Sequence, residues 1–339
     1  MFKHGFLLVA ATVWISAAPV HAAPAASVYS SLFVLGDSLS DPGNLYALTG
    51  TTIPASPPYF EGRFSDGPVW ADRVAQDFAA RGKPVVNLAV GGAKAVADGD
   101  GIPDLDLQIG QLAALDVGRL LSGLMGPKPV LSLLVGANDM FAAVRNAAAA
   151  PDPVAAIVGE AAGVAASLGA DLRALGALGF KDFVLWSLPD LGTTPLLAKL
   201  SPAGVAPLGT LAAVSFNAQL AAIAGDLRGE GYGVVEIDLF GILAGFIADP
   251  ARFGFRDVDL PCVFPSAEAA LLFGQPLVCD QTTAGRLFFD DVHPNGRAHA
   301  IVADVFRAQT AAPVPLPAAG FLLIGALGGL VLLRRARRG

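Results

Sequence analysis

Five short apolar runs, each too brief for a stable helix, are separated in this chain by long stretches with helical periodicity. The runs cover residues 32–35, 85–89, 130–135, 183–186 and 234–237, and the helical patterns cover 69–80, 108–121, 154–178 and 207–228. A short apolar run that ends in a turn reads as a strand buried on both faces. Strands of that kind, alternating with helices, predict an α/β fold with a mainly parallel five-stranded sheet and helices on each side. Ligands of such sheets bind beyond the carboxyl ends of the strands. The alternation breaks down between Gly241 and Arg286, which reads as a long irregular connection.

Both ends read as targeting segments. Residues 1–22 combine Lys3, an apolar run and small residues before a cut after Ala22, the pattern of a secretory signal peptide. A retained N-terminal anchor is the alternative. Residues 23–30 read as a small-residue linker, and 31–310 as the main domain. In 311–339, Val314-Pro315-Leu316-Pro317-Ala318 precedes an apolar run of about one bilayer thickness and a terminal arginine cluster. The arginines predict a cytoplasmic tail and a main domain outside the inner membrane, in agreement with the signal peptide. This tail resembles the VPLPA-type, PEP-CTERM-like sorting signals of Gram-negative bacteria, which implies processing by an exosortase-type membrane protease. A plain tail anchor is the alternative.

Five of the 22 basic residues lie in those ends and none of the 29 acidic ones does, so the core carries a net charge of −12. That balance argues against nucleic-acid binding, which needs basic patches. The two cysteines, Cys262 and Cys279, lie in the exported part and are expected to form one disulfide, worth about 3 kcal/mol for so short a loop. Two free thiols is the alternative. Asp98, Asp100 and Asp104 space carboxylates as calcium loops do and locally resemble thrombospondin type 3 repeats. The bidentate glutamate expected at the loop's end is missing, which favours a solvated acidic turn over a metal site.

Chemistry concentrates at the strand ends. Ser38 follows the first strand through Gly36 and Asp37, where backbone N–H groups can stabilise an oxyanion. By itself, a Gly-Asp-Ser turn is more often a helix cap than a nucleophile. Only His293 and His299 remain as bases once the signal is removed, and His299 falls within a helical stretch. Asp290, three residues before His293, is placed to orient the imidazole, with Asp291 as a rival. The segments 87–93 and 136–139 end two further strands and offer a glycine turn and the Asn138 amide as donors. There is no G-x-S-x-G elbow, HExxH, zinc-type cysteine cluster or phosphate loop.

Four blocks in order, 36–41, 87–93, 136–139 and 290–294, resemble the GDSL-type esterases of the SGNH hydrolase superfamily, and 62–70 resembles its lipase-like branch. The resemblance runs from about 31 to 307. It implies a flavodoxin-like three-layer α/β/α sandwich and no cofactor. It also implies Ser38 as nucleophile, His293 as base and Asp290 as its orienting group, the family spacing favouring Asp290 over Asp291. The oxyanion hole it implies consists of the Ser38 and Gly91 N–H groups and the Asn138 side chain. The expected reaction is hydrolysis of a carboxylic ester through an acyl-serine. An O-acetyl esterase acting on surface polysaccharide and a non-catalytic surface or biofilm-matrix protein are the alternatives.

Overall fold

The computed structural model describes residues 25–147, 149–201, 204–264, 277–278 and 285–311. The expected signal peptide (1–22), the expected sorting tail apart from Ala311, and Cys279 lie outside these residues. The chain runs through α1 (Ala25–Val28), β1 (Ser31–Gly36), α2 (Asn44–Leu48), α3 (Trp70–Ala79), β2 (Val85–Asn87), α4 (Leu105–Val117), α5 (Leu121–Met125) and β3 (Pro129–Leu134). It continues with α6 (Ala137–Ala147), α7 (Pro153–Ala177), β4 (Asp182–Trp186), α8 (Val205–Gly229), β5 (Gly233–Ile237), α9 (Leu239–Ala248) and α10 (Pro250–Phe253). The last elements are β6 (Val263–Phe264), β7 (Leu277–Val278) and α11 (Gly296–Thr310).

The first five strands form one parallel sheet in the order β2-β1-β3-β4-β5. Alternate residues of each strand point to opposite faces, and the sheet's neighbours divide accordingly. Phe33, Leu35, Leu131, Leu133, Phe183 and Leu185 face a cluster built with α4, α6, α7 and α8. Leu32, Val34, Val130, Val184 and Trp186 face the opposite cluster, filled by Trp70, Val74 and Phe78 of α3 and Val302 and Phe306 of α11. The result is the three-layer arrangement that the resemblance implies. α7 and α8 are long and apolar enough to cross a membrane, yet Ile157, Leu168, Leu172, Phe216 and Leu220 on them are buried in the first cluster.

Strand order reverses between β1 and β3, which pair along their whole length from Ser31 with Pro129 to Gly36 with Leu134. The chain leaves those two strands in opposite directions, so a crevice opens beyond their carboxyl ends. Residues 37–41 and 136–139 follow these strands and border it.

Two expectations are corrected. Ala25–Val28, within the expected linker, forms a helical turn whose Ala25 and Ala26 are buried against the α3–α11 side. The stretch from Gly241, expected to be irregular, begins within α9 and continues into α10. Asp238 and Asp249 cap the two helices by accepting N–H bonds from Gly241 and Arg252. Leu243 and Phe246 of α9 pack on Phe255, Leu287 and Phe288. An all-apolar helix shows no periodicity, so its sequence carries no signal of its type. Further along, Cys262 takes part in a disulfide.

Candidate active site

β1 ends at Gly36, whose φ is +139° and where an added Cβ would lie 2.0 Å from the Leu134 carbonyl oxygen; only glycine fits there. Gln108 of α4 grips this residue from both sides. Its Oε1 accepts the Gly36 N–H and its Nε2 donates to the Gly36 carbonyl, each at 2.9 Å. The Asp37 N–H donates to Leu134 O at 3.2 Å, and Asp37 Oδ1 accepts the Leu39 N–H at 3.1 Å. Ser38 therefore stands on a tight, braced turn at the sheet edge. Its Oγ lies 2.7 Å from His293 Nε2.

His293 occupies the loop before α11. Its Nδ1 is 2.8 Å and 3.0 Å from the two oxygens of Asp290. Asp290 is fully buried and also accepts the Val292 and His293 backbone N–H groups and the Tyr59 hydroxyl, the last at 2.7 Å. Burial acts to raise its pKa, but the His293 charge and these hydrogen bonds outweigh it and hold the carboxyl below its ordinary value. The rival Asp291 instead lines the cleft.

Segment 62–70 fastens this loop from far away in sequence. Ser65 Oγ donates to Pro294 O at 3.0 Å, Asp66 Oδ1 accepts the Gly296 N–H at 2.6 Å, and the Phe64 ring lies 5.0 Å from the imidazole. His299 is buried on α11, with Nδ1 accepting the Trp70 N–H at 3.3 Å. Burial pushes its pKa down to about 3, so it is a neutral packing group.

The oxyanion side differs from expectation at one residue. The Gly91 N–H is already committed to Asp41 Oδ2, at 2.7 Å. The next residue, Gly92, lines the cleft with φ +83°, and among the described residues the Ser38 and Gly92 N–H groups have no acceptor. Of the two glycines it is thus Gly92, not the expected Gly91, whose N–H is left to the cleft. Asn138 lines the same cleft and is steadied by donating to Ala93 O at 2.9 Å. Asp139, beside it, accepts the Ala95 and Val96 N–H groups at 2.9 Å and 3.0 Å. Asp41 from the Ser38 turn and Asp139 from α6 therefore hold the glycine loop between them. Tyr59, Gln108 and Gly92 were missed by sequence reasoning; for Gly92 the available signal was the pair of adjacent glycines.

The cleft around these groups has a volume of about 510 Å³, with Lys94 and Arg145 also in its wall. Asp37 is 1% exposed, and its Oδ2 has no partner among the described residues; burial pushes its pKa up to about 7. Asp98, Asp100 and Asp104 do converge within 4.8 Å. Lys94 Nζ, however, stands 2.6 Å from Asp98 and 2.7 Å from Asp100, while Asp104 accepts the Lys94 backbone N–H. The lysine supplies the positive charge that the calcium reading assigned to an ion.

The chain is similar to the phosphatidylcholine-sterol acyltransferase of Aeromonas hydrophila, with 28% identity over 84% of this chain and 91% of that protein. It is also similar to the thermolabile hemolysin of Vibrio parahaemolyticus, with 24% identity over 81% of this chain and 62% of that one. Among solved structures, an extracellular lipase from Streptomyces rimosus aligns over 83% of this chain and 99% of its own, with 15% identity and a TM-score of 0.44. A phospholipase A1 from Streptomyces albidoflavus aligns over the same shares, with 15% identity and a TM-score of 0.43. The sequence model of the GDSL-like lipase/acylhydrolase family matches residues 32–306. With that match spanning the whole sheet and both sides of the site, this chain belongs to the GDSL-like lipase/acylhydrolase family.

Proposed function

We propose that the protein is an exported serine hydrolase that cleaves carboxylic esters through an acyl-serine on Ser38. The observation that carries this reading is the relay from Ser38 Oγ to His293 Nε2 at 2.7 Å and from His293 Nδ1 to Asp290 at 2.8 Å. Asp290, held ionised, keeps the imidazole proton on Nδ1 and leaves Nε2 free to accept.

As Ser38 Oγ bonds to the ester carbonyl carbon, its proton passes to His293 Nε2. The carbonyl oxygen becomes an oxyanion facing the Ser38 and Gly92 N–H groups and the Asn138 amide. Collapse breaks the bond to the alkoxy group, which leaves as the alcohol with the proton from Nε2. Water then attacks the acyl-serine and gives a proton to the same nitrogen, and collapse breaks the bond to Ser38 Oγ, which takes that proton back as the acid leaves. Ser38→Ala is expected to reduce hydrolysis of p-nitrophenyl acetate to background with an unchanged circular dichroism spectrum. Retained turnover in that variant refutes the reading.

The Aeromonas relative's acyltransferase name supports a second fate for the acyl-serine, capture by an alcohol in place of water. Supplying cholesterol with an acyl donor and measuring sterol ester against free acid separates the two. Export rests on residues 1–22, and membrane attachment or exosortase-type processing on 311–339. Mass spectrometry of the mature termini from cell fractions tests both, and an intact residue 1 would overturn export by a cleaved signal.

A further inference from the structure

The Asp290 carboxylate is held partly by its own loop and partly by a distant one. Its Oδ1 accepts the Val292 and His293 N–H groups at 3.0 Å and 2.6 Å. Those donors, like the imidazole itself, belong to the residues just after Asp290, so they move with it. Its Oδ2 accepts the Tyr59 hydroxyl at 2.7 Å and lies 2.8 Å from His293 Nδ1. Tyr59 and the imidazole therefore converge on one oxygen, and Tyr59 reaches it from 231 residues away.

Tyr59 is firmly placed. Its N–H donates to Ala55 O at 3.2 Å, its carbonyl accepts the Ser56 hydroxyl at 2.6 Å, and the Phe60 N–H donates to Ser65 O at 2.9 Å. Its buried ring meets Phe289 edge-on at 5.1 Å and Phe64 at 6.1 Å. Phe64, from the same compact loop, is the ring that lies against the imidazole. A phenylalanine at position 59 would serve this packing equally well. A buried hydroxyl is costly unless it is bonded, and here its bond goes to the carboxylate.

We propose that Tyr59 is a positioning residue: its hydroxyl aims Asp290 Oδ2 at His293 Nδ1 and, by sharing that oxygen, limits how tightly the carboxylate holds the charged imidazole. The inference rests on the reading of Ser38, His293 and Asp290 as the reacting set, and adds a fourth member that does not line the cleft. A hydrogen bond to a carboxylate stabilises its charge and weakens its pull on a neighbouring proton. Without the hydroxyl, Oδ2 is left to the imidazole, the imidazolium is held more strongly, and the carboxylate loses its outside anchor. The other ionisable groups around the imidazole are Asp37, Asp291, His299, Asp66 on segment 62–70, and Lys94 and Arg145 in the cleft wall. Asp37 titrates in the same range as the base, so the effect of Tyr59 is read as a difference between variants that all retain Asp37.

The test follows His293 by nitrogen-15 NMR titration and kcat/KM for p-nitrophenyl acetate against pH, in wild type, Tyr59→Phe and Tyr59→3-fluorotyrosine. Tyr59→Phe should raise the His293 midpoint and the acid limb of the profile by about 0.5 to 1 pH unit. It should also lower the plateau kcat by about tenfold with KM nearly unchanged. The fluorinated phenol, a stronger donor of nearly the same size, should move the midpoint the other way. The His299 signal, from a buried neutral ring, should stay in place throughout. In an Asp290→Asn background, Tyr59→Phe should cost less than about twofold, because its effect runs through the carboxylate. A midpoint unmoved in both variants, or the full loss repeated in Asp290→Asn, is what packing alone predicts, and either overturns the positioning role. Should Tyr59→Phe fail to fold, the direction of the shift in the fluorinated protein decides. A wild type that hydrolyses no ester refutes the hydrolase reading instead, and the NMR midpoints still decide Tyr59.

Discussion

Ser38 stands on a turn fastened by its own neighbours and the adjacent strand, whereas His293 stands on a loop fastened from the far end of the chain. The Ser38 turn is held by Asp37, Leu134 and, from α4, Gln108, so its geometry follows once β1 and β3 pair and α4 docks on them. The histidine loop depends on Tyr59, Ser65 and Asp66, each about two-thirds of the chain away in sequence. One half of the site is thus a property of the sheet edge, while the other exists only when segment 62–70 has docked. A hydrogen-bonded pair at 2.7 Å across that boundary tolerates little displacement, because misplacement of reacting groups is costly in rate.

The contrast can be tested from both sides. Asp290→Asn keeps the shape of the loop but removes the charge that fixes the His293 tautomer. Its kcat/KM should fall by about 10⁴-fold in steady-state assays. Asn138→Ala acts on the sheet-edge side and removes one oxyanion donor. A fall of about 10²- to 10³-fold in kcat is expected, with KM nearly unchanged.

Asp66→Ala cuts a tether without touching the reacting atoms, and should lower kcat by about tenfold through looser placement of His293. Its loss should deepen on warming, whereas the fractional loss in Asn138→Ala should hold steady. Temperature series on both variants check this, and parallel behaviour would erase the distinction between the halves.

The smallest effect on rate, but a clear one on stability, is expected at Asp37. Its carboxyl titrates at about 7 in the folded protein, against an ordinary value of 3.8. The folded state therefore keeps a proton that the unfolded chain has released, and this contribution to stability is lost as pH rises from about 4 through 7. The full loss is on the order of 4 kcal/mol. His299, lowered to about 3, has the opposite sign: its neutral burial costs stability as pH falls below its ordinary 6.5. The two slopes oppose each other between about pH 4 and pH 6. Asp37→Asn should melt higher than wild type at about pH 8 and nearly together with it at about pH 4, as thermal unfolding would report. A constant offset across that range would mean that Asp37 does not titrate as stated.

Much of the site was legible in the sequence because its parts are local. The strand followed by Gly36-Asp37-Ser38 and the three-residue step from Asp290 to His293 are short-range patterns, and the choice between Asp290 and Asp291 came from family spacing. Gly92 was not legible. Two consecutive glycines have the same side chain, and only Asp41, 50 residues away, takes the N–H of the first and leaves the second to the cleft. Tyr59 was hidden for a similar reason, since its partner Asp290 lies 231 residues on. α9 escaped because a helix apolar on every side presents no period to read.

By itself, then, the sequence determined the parallel sheet, through buried strands too short to be helices, and it put a serine and a histidine at strand and helix ends. Tertiary structure alone decided which N–H of the glycine pair is left to the cleft and what holds the histidine loop. Those two features depend on contacts between segments far apart in the chain, whose register exists only after the layers have packed.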